Sequence, residues 1–486
     1  MSARHLDRLT IADAAFLRQE DRGPHAHIGW VLIASGPPPA YADLLKHVKS
    51  RLHLVPRYRQ KVAFSPLRVS PPFWIDDPGF NIEYHVRHTA LPAPGSLDQL
   101  RATVGRIFSQ GLDRSKPLWE LWLLQGLHDD RFAIVNKTHR ALIDGGAGVD
   151  LTTVLFDTSQ HPAPLPPPER PWLPHPEPSP AELVAAGIRD LVSAPFEVAR
   201  RAVGALDDPD AAIASAREVV KGLQEVAAAY LSPSSATPLN VRIGTHRQLY
   251  WTRCPLNDFK RIKDTFGGTI NDVYLTVVTG ALAYWLARQG IRRRGLQLRA
   301  AVPISLRSRA GGLGAARQTG ARVVECFAPL PVGVSDPVER LRIVRRALDD
   351  LKHSKQALGA RAIAALQDFT PPALLAQASR LSFSRRMFNL VAANIPGPQL
   401  PLYLLGHEVV QIGPVGFLEE RCALMVTLVS YNGMLEFGLI ADADAVPDLD
   451  ALGGGIDDAV ADLLEAARKH KPKGRGRKGR GGGANT

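Results

Sequence analysis

Two periods of hydrophobic residues alternate along this chain, and their order sets out its elements. From Leu6 to Gln19 the apolar residues, Ala12, Ala15 and Phe16 among them, recur at helical spacing; Ile28 to Ala34 then reads as a strand. Residues 40–55 return to helical spacing, and Leu97, Leu100, Val104, Ile107 and Phe108 mark an amphipathic helix over 97–110. Trp119 to Leu124 and Phe132 to Lys137 read as strands joined by a turn at Asp129-Asp130. The polar stretch His139 to Gly145 follows directly, and Val149 to Phe156 continues as helix. A polar segment between a strand and a helix is a common place for chemistry.

Residues 162–180 interrupt this rhythm with ten prolines in nineteen positions. Neither a helix nor a central strand survives that density, so an extended linker and a domain boundary are expected there. Helical segments rich in Ala and Val follow from Ala181 to about Tyr230. The second half opens on a strand, Arg247 to Cys254, followed by a helix from Asp258 to Phe266. Gly267-Gly268 turns the chain into an apolar helix from Val273 to Ala287, for which Asn271 or Thr269 is the expected cap. Strands are expected at Leu298–Ile304, Ala321–Leu330, Val409–Ile412, Ala423–Ser430 and Met434–Ile440, with helices over Pro337–Leu351 and 447–468. The pattern divides the chain into an N-terminal unit (1–161), a connector (162–245), a second unit (246–468) and a tail (469–486).

Length and composition narrow the class. The 486 residues are enough for two substantial domains, and 45% hydrophobic with 22% charged residues is a globular composition. The longest apolar stretch, 15 residues from Val273, falls short of the ~20 a bilayer crossing needs and reads as a buried helix. Cys254, Cys326 and Cys422 form neither a zinc spacing nor a disulfide framework, and Met1–Thr10 has no apolar leader core, so a reducing cytoplasm is the expected home. The formal charge of +12 suggests nucleic acid until it is located: eight of those charges lie between Arg468 and Arg480, leaving +4 for the rest. A Gly/Lys/Arg tail cannot bury a core; it either solvates the protein or binds an anionic surface by charge alone, and no nucleic-acid partner is expected.

The segment His139-Arg140-Ala141-Leu142-Ile143-Asp144-Gly145 resembles the H-H-x-x-x-D-G box of a large acyltransferase superfamily, with arginine at the second histidine. Further motifs appear in order: Asp13-Ala14-Ala15-Phe16-Leu17 with His27-Ile28-Gly29, Pro117-Leu118-Trp119-Glu120, Asn271-Asp272-Val273, Pro303-Ile304-Ser305-Leu306-Arg307, Asn394-Ile395-Pro396-Gly397-Pro398 and Ser430-Tyr431-Asn432-Gly433. Together they are similar to the bacterial wax ester synthase/diacylglycerol acyltransferase family, over Leu9 to about Ala467. The resemblance implies an α/β fold of two chloramphenicol-acetyltransferase-like domains with an active-site channel between them. It implies acyl transfer from a CoA thioester to diacylglycerol or a fatty alcohol, with acyl-CoA as co-substrate and no further cofactor. The same resemblance implies His139, Arg140, Asp144 and Gly145 as the catalytic box, and Trp119, Asn271 and Asp272 along the substrate channel. Such substrates imply a cytoplasmic protein held peripherally at a membrane or lipid-droplet surface.

Arg140 changes the chemistry of the box. A guanidinium, with a pKa of about 12.5 or more, cannot take an alcohol proton, whereas a histidine near 6.5 can. Arg140 therefore either pairs with Asp144, four residues on, or binds an anionic group such as a CoA phosphate. His139 is either a base or a buried histidine satisfied by backbone, and His25 and His27 are read as shaping the channel. Gly320-Ala321-Arg322 is a second departure, where the family has Gly-Asn. Three functions stay open: an active acyltransferase, a catalytically impaired relative that binds acyl-CoA or neutral lipid, and acyl transfer to a carrier-bound partner.

Overall fold

The structure is a computed structural model that describes residues 6–20, 23–66, 71–143, 151–188, 234–305, 323–353 and 387–470. The expectations for Asp144, Gly145, Gly320-Ala321-Arg322, the helical segments over 189–233 and the tail from 471 fall outside the described residues.

Two six-stranded sheets carry the fold. One is built from β2 (His27–Ser35), β5 (Val86–Ala90), β6 (Trp119–Leu127), β7 (Arg131–His139), β12 (Tyr403–Leu404) and β13 (His407–Val415), in the order β12-β13-β2-β7-β6-β5. The other contains β8 (Arg247–Pro255), β9 (Leu298–Ser305), β10 (Val323–Leu330), β11 (Leu390–Ile395), β14 (Leu424–Tyr431) and β15 (Met434–Asp442), in the order β10-β9-β11-β14-β15-β8. A small sheet pairs β1 (Asp7–Arg8) and β3 (Gln60–Ala63) on either side of β4 (Phe73–Asp76). Most neighbours are antiparallel; β5 with β6, and β11 with both β9 and β14, are parallel. The β6–β7 turn forms where expected, with Asp129 and Asp130 at φ of 61° and 49°, the left-handed region that short polar side chains tolerate.

The sheet order corrects the expected division of the chain. Residues 403–415, read as part of the second unit, run into the first sheet, where β13 pairs antiparallel with β2. The two halves are therefore joined through strand pairing as well as the connector. The helix Leu97–Ser109 tightens the joint: Arg101 donates to the Trp251 carbonyl at 2.9 Å and the Arg247 N–H donates to Ser109 Oγ at 2.9 Å. One hydrophobic core continues across the junction, from Val31, Val104 and Val135 to Leu249, Tyr274 and Phe437. A second, with Leu44, Trp119, Phe132 and Leu142, fills the opposite side of the first sheet.

The proline-rich segment is extended, as its composition requires, and is also held in place. The His175 backbone N–H donates to Asp76 at 3.1 Å, Trp172 lies under the Arg59 guanidinium, and Lys61 pairs with Glu177 at 3.2 Å. The apolar helix runs from Ile270 to Arg288. Among the described residues it alone is long and apolar enough to cross a bilayer, but 78% of that window is buried inside the fold, which makes it a core helix. It lies close against the helix Leu449–Lys469: a Cβ on Gly280 would come within 2.8 Å of the Ala459 Cβ. All three cysteines are free thiols.

Candidate active site

The end of β7 brings four ring and acid side chains together. His139 closes that strand, and the β2–β7 register places His27 directly opposite it. Side chains alternate along a strand, so His139 and Lys137 share one face and Thr138 and Asn136 the other. Lys137 identifies the histidine face, because its Nζ donates to the Ile107 and Gln110 carbonyls at the end of the Leu97–Ser109 helix. This is the helix that packs on β8, so His27 and His139 lie on the side of the sheet turned toward the second half.

Glu20, the last residue of the helix Ile11–Glu20, supplies the acid. Its Oε1 accepts the Ala26 N–H at 2.7 Å and lies 3.1 Å from His139 Nε2, 3.6 Å from His27 Nε2 and 4.0 Å from His25 Nδ1. Its Oε2 accepts from Arg114 at 3.0 Å. Burial pushes the Glu20 carboxyl upward, but His139, His27 and Arg114 beside it outweigh this and hold it well below the usual carboxylate range. The His27 ring is pushed the other way. Burial, with Lys137 nearby, holds it well below the ordinary histidine value against the opposing pull of Glu20. His25 stacks on it, ring centroids 4.9 Å apart and planes 10° apart, and is likewise lowered by burial.

His139 is fixed by the backbone. Its Nδ1 accepts the Ala141 N–H at 3.0 Å, which caps the 3-10 turn Arg140–Leu142. A neutral ring whose Nδ1 accepts carries its proton on Nε2, the atom facing Glu20. The Nε2–Oε1 distance of 3.1 Å is within ion-pair reach, although the ring N–H does not align on the carboxylate as a hydrogen bond. His139 thus spends its Nδ1 lone pair on the backbone, while Nε2 stands within ion-pair reach of Glu20 without a hydrogen-bond partner.

Arg140 begins the 3-10 turn. Its N–H donates to the Ala26 carbonyl at 2.8 Å, its guanidinium donates to the Ile143 carbonyl at 2.7 Å, and its Cζ lies 5.6 Å from the Phe16 ring centre. The expected pairing with Asp144 falls outside the described residues.

Three channel expectations are corrected or narrowed. Trp119 pairs with Thr138 across β6 and β7, which puts it on the sheet face opposite His139. It is fully buried there in the core, stacked on His85 at 4.6 Å with its Nε1 donating to the Tyr58 carbonyl. Asp272 is buried and belongs to a capping box in which Thr269, not Asn271, is the cap: Asp272 accepts the Thr269 N–H at 2.6 Å. Asn271 is half-buried in the first turn of that helix.

Glu20, His25 and His27 offer donor atoms within 4.8 Å of one another, a spacing a metal ion could bridge. The near-parallel stacking of the two rings argues against a cage, since in-plane lone pairs of parallel rings do not converge. Glu20 carries no signal in the sequence alone. A glutamate closing a helix reads as a solvated charge, and only the fold shows its position between Arg114 and three histidines.

The chain as a whole is similar to known proteins. Residues 9–274 fit the model of the wax ester synthase/diacylglycerol acyltransferase catalytic domain, and residues 319–463 that of the matching C-terminal domain. A probable diacylglycerol O-acyltransferase of Mycobacterium tuberculosis is 32% identical over 477 residues, covering 96% of this chain and 97% of that protein. The solved wax ester synthase/diacylglycerol acyltransferase from Marinobacter aquaeolei is similar at 25% identity with a TM-score of 0.66, over 95% of this chain and all of that one. The first condensation domain of the calcium-dependent antibiotic synthetase shares the fold at 13% identity and a TM-score of 0.54, over 95% of this chain and 96% of that one.

Proposed function

The chain belongs to the wax ester synthase/diacylglycerol acyltransferase family, and from that premise we propose that it transfers a long acyl group from CoA to the hydroxyl of diacylglycerol or a fatty alcohol. The observation that carries the proposal is end-to-end similarity to a diacylglycerol O-acyltransferase, 32% over 477 residues, with the box histidine at the strand end facing the second half of the molecule. The reaction needs a group to take the hydroxyl proton, donors for the carbonyl oxygen and exclusion of water. An imidazole and a carboxylate, those of His27 and Glu20, both lie beside the box. The space between the two sheets is where both lipid chains would lie. Such substrates place the protein at a membrane or lipid-droplet surface, with the basic tail after Arg468 contributing charge attraction to anionic lipid.

Arg140 favours a second reading, that of a relative which binds acyl-CoA or neutral lipid without turnover, because the guanidinium occupies the family's base position and is engaged with Ile143 and Phe16. The two readings separate in one assay. Purified protein given long-chain acyl-CoA with diacylglycerol or a fatty alcohol releases CoA under the first reading. Binding of acyl-CoA with no release above a heat-inactivated control supports the second.

A further inference from the structure

We propose that His27 takes the proton from the acceptor hydroxyl, with Glu20 holding the imidazolium that results. The inference rests on the acyl-transfer reading and assigns the one step that the box leaves without an agent. Arg140 stays charged at any working pH. His139 carries its proton on Nε2 and spends its Nδ1 lone pair on the Ala141 N–H. His27 differs from both: it is only 2% exposed, and neither ring nitrogen has a hydrogen-bond partner.

A buried histidine with two unpartnered nitrogens costs stability, because each nitrogen gives up water without gaining a protein partner. The arrangement is explained if a partner arrives with substrate. Nε2 faces Glu20 at 3.6 Å, so a proton there points at the carboxylate and Nδ1 is left as the free lone pair. His27 also sits on the same face as His139, toward the second half.

The step balances without any further reactant. The hydroxyl oxygen bonds to the thioester carbonyl carbon as its proton passes to His27, and the carbonyl electrons move onto oxygen. When the tetrahedral intermediate collapses, the C–S bond breaks and the leaving sulfur takes the proton back from His27. Glu20 is anionic throughout and is anchored by Ala26 and Arg114, so it stabilises the imidazolium without accepting its proton. The titratable groups around His27 are Glu20 at the end of the first helix, His25 just before its own strand, and Lys137 and His139 on β7; Lys137 opposes the imidazolium and Glu20, itself held by Arg114, favours it.

The test measures CoA release across pH for the wild type, His27→Gln and Glu20→Gln, with thermal melting as a check on folding. General-base removal is expected to lower kcat by about 100-fold or more with little change in KM. Glu20→Gln removes the charge that favours the imidazolium, so the acid limb of the kcat/KM profile moves to lower pH while kcat falls. A folded His27→Gln protein within about twofold of wild-type kcat overturns the assignment. Should His27→Gln fail to fold, the Glu20→Gln profile decides, and an unshifted acid limb overturns it. A wild type that releases no CoA overturns the acyl-transfer reading and this assignment with it, an outcome distinct from an active enzyme indifferent to His27.

Discussion

Glu20 Oε1 stands 3.1 Å from His139 Nε2, and this contact joins the first helix to the acyltransferase box. The carboxylate also accepts from the Ala26 backbone and from Arg114, so one acid organises the chain on both sides of the β2–β7 edge.

That role has a pH signature. A carboxyl held low in the folded state contributes stability that is complete above its unfolded pKa of about 4.3 and is lost as pH falls toward the folded value. Glu20→Gln is expected to unfold more easily than wild type at neutral pH, by roughly 1–3 kcal/mol. The gap should narrow as pH drops below about 4. Urea unfolding at a series of pH values measures it; a gap independent of pH contradicts the assignment.

Glu436 makes the opposite prediction. It lies on β15 facing β13, where burial pushes its carboxyl up to about 7 despite Arg253 and Gln411, and its Oε1 has no hydrogen-bond partner. A raised folded pKa means that stability falls as pH rises from about 4.3 through this value, because the folded state then gives up a proton it prefers to keep. Glu436→Gln should raise the melting temperature above pH 8 and change it little near pH 5, where the acid is already protonated. Melting curves at the two values check this, and equal shifts at both count against it.

The joint between the halves has a steric signature. Gly438 on β15 lies so close to β13 that an added Cβ would sit 2.0 Å from the Pro414 carbonyl oxygen, a backbone atom with no rotamer to relieve it. Overpacking of this kind costs about 1–3 kcal/mol or more. Gly438→Val should lower the denaturant midpoint and loosen both sheets together, which amide exchange in β13 and β15 would report. Unchanged protection in β13 would show that the halves do not meet there.

Arg140 is placed as a structural residue. Arg140→Ala removes the hydrogen bond to Ile143 and the contact with Phe16, and is expected to cost about 1 kcal/mol of stability. The KM for acyl-CoA should stay within about twofold of wild type. A rise of about tenfold or more would show instead that the guanidinium binds the CoA phosphates.

Strongly periodic elements could be read directly from the chain. The helix Leu97–Ser109 and the strands Trp119–Leu127, Arg131–His139 and Arg247–Pro255 lie within a few residues of their expected bounds, because the helix and Arg247–Pro255 have a one-faced apolar pattern and the other two strands carry continuous apolar runs. Short strands such as Gln60–Ala63, Phe73–Asp76 and Val86–Ala90 carry too few alternations to register. The crossing of His407–Val415 into the first sheet has no local signal, since its pairing with β2 is set by long-range packing. The site divides in the same way. His139 and Arg140 stand out as a motif, whereas Trp119 carries a motif but faces the wrong side of the sheet, and only the β6–β7 register reveals that. Glu20 lacks any motif and becomes visible when a helix end meets two strand ends.

The central claim is that this chain, with arginine in its box, still makes esters from acyl-CoA. The most direct measurement follows CoA release and ester formation together in one reaction of the purified full chain with long-chain acyl-CoA and diacylglycerol or a fatty alcohol. The account predicts CoA and triacylglycerol or wax ester appearing in equal amounts. CoA release without ester, or no release above the heat-inactivated protein, would contradict it.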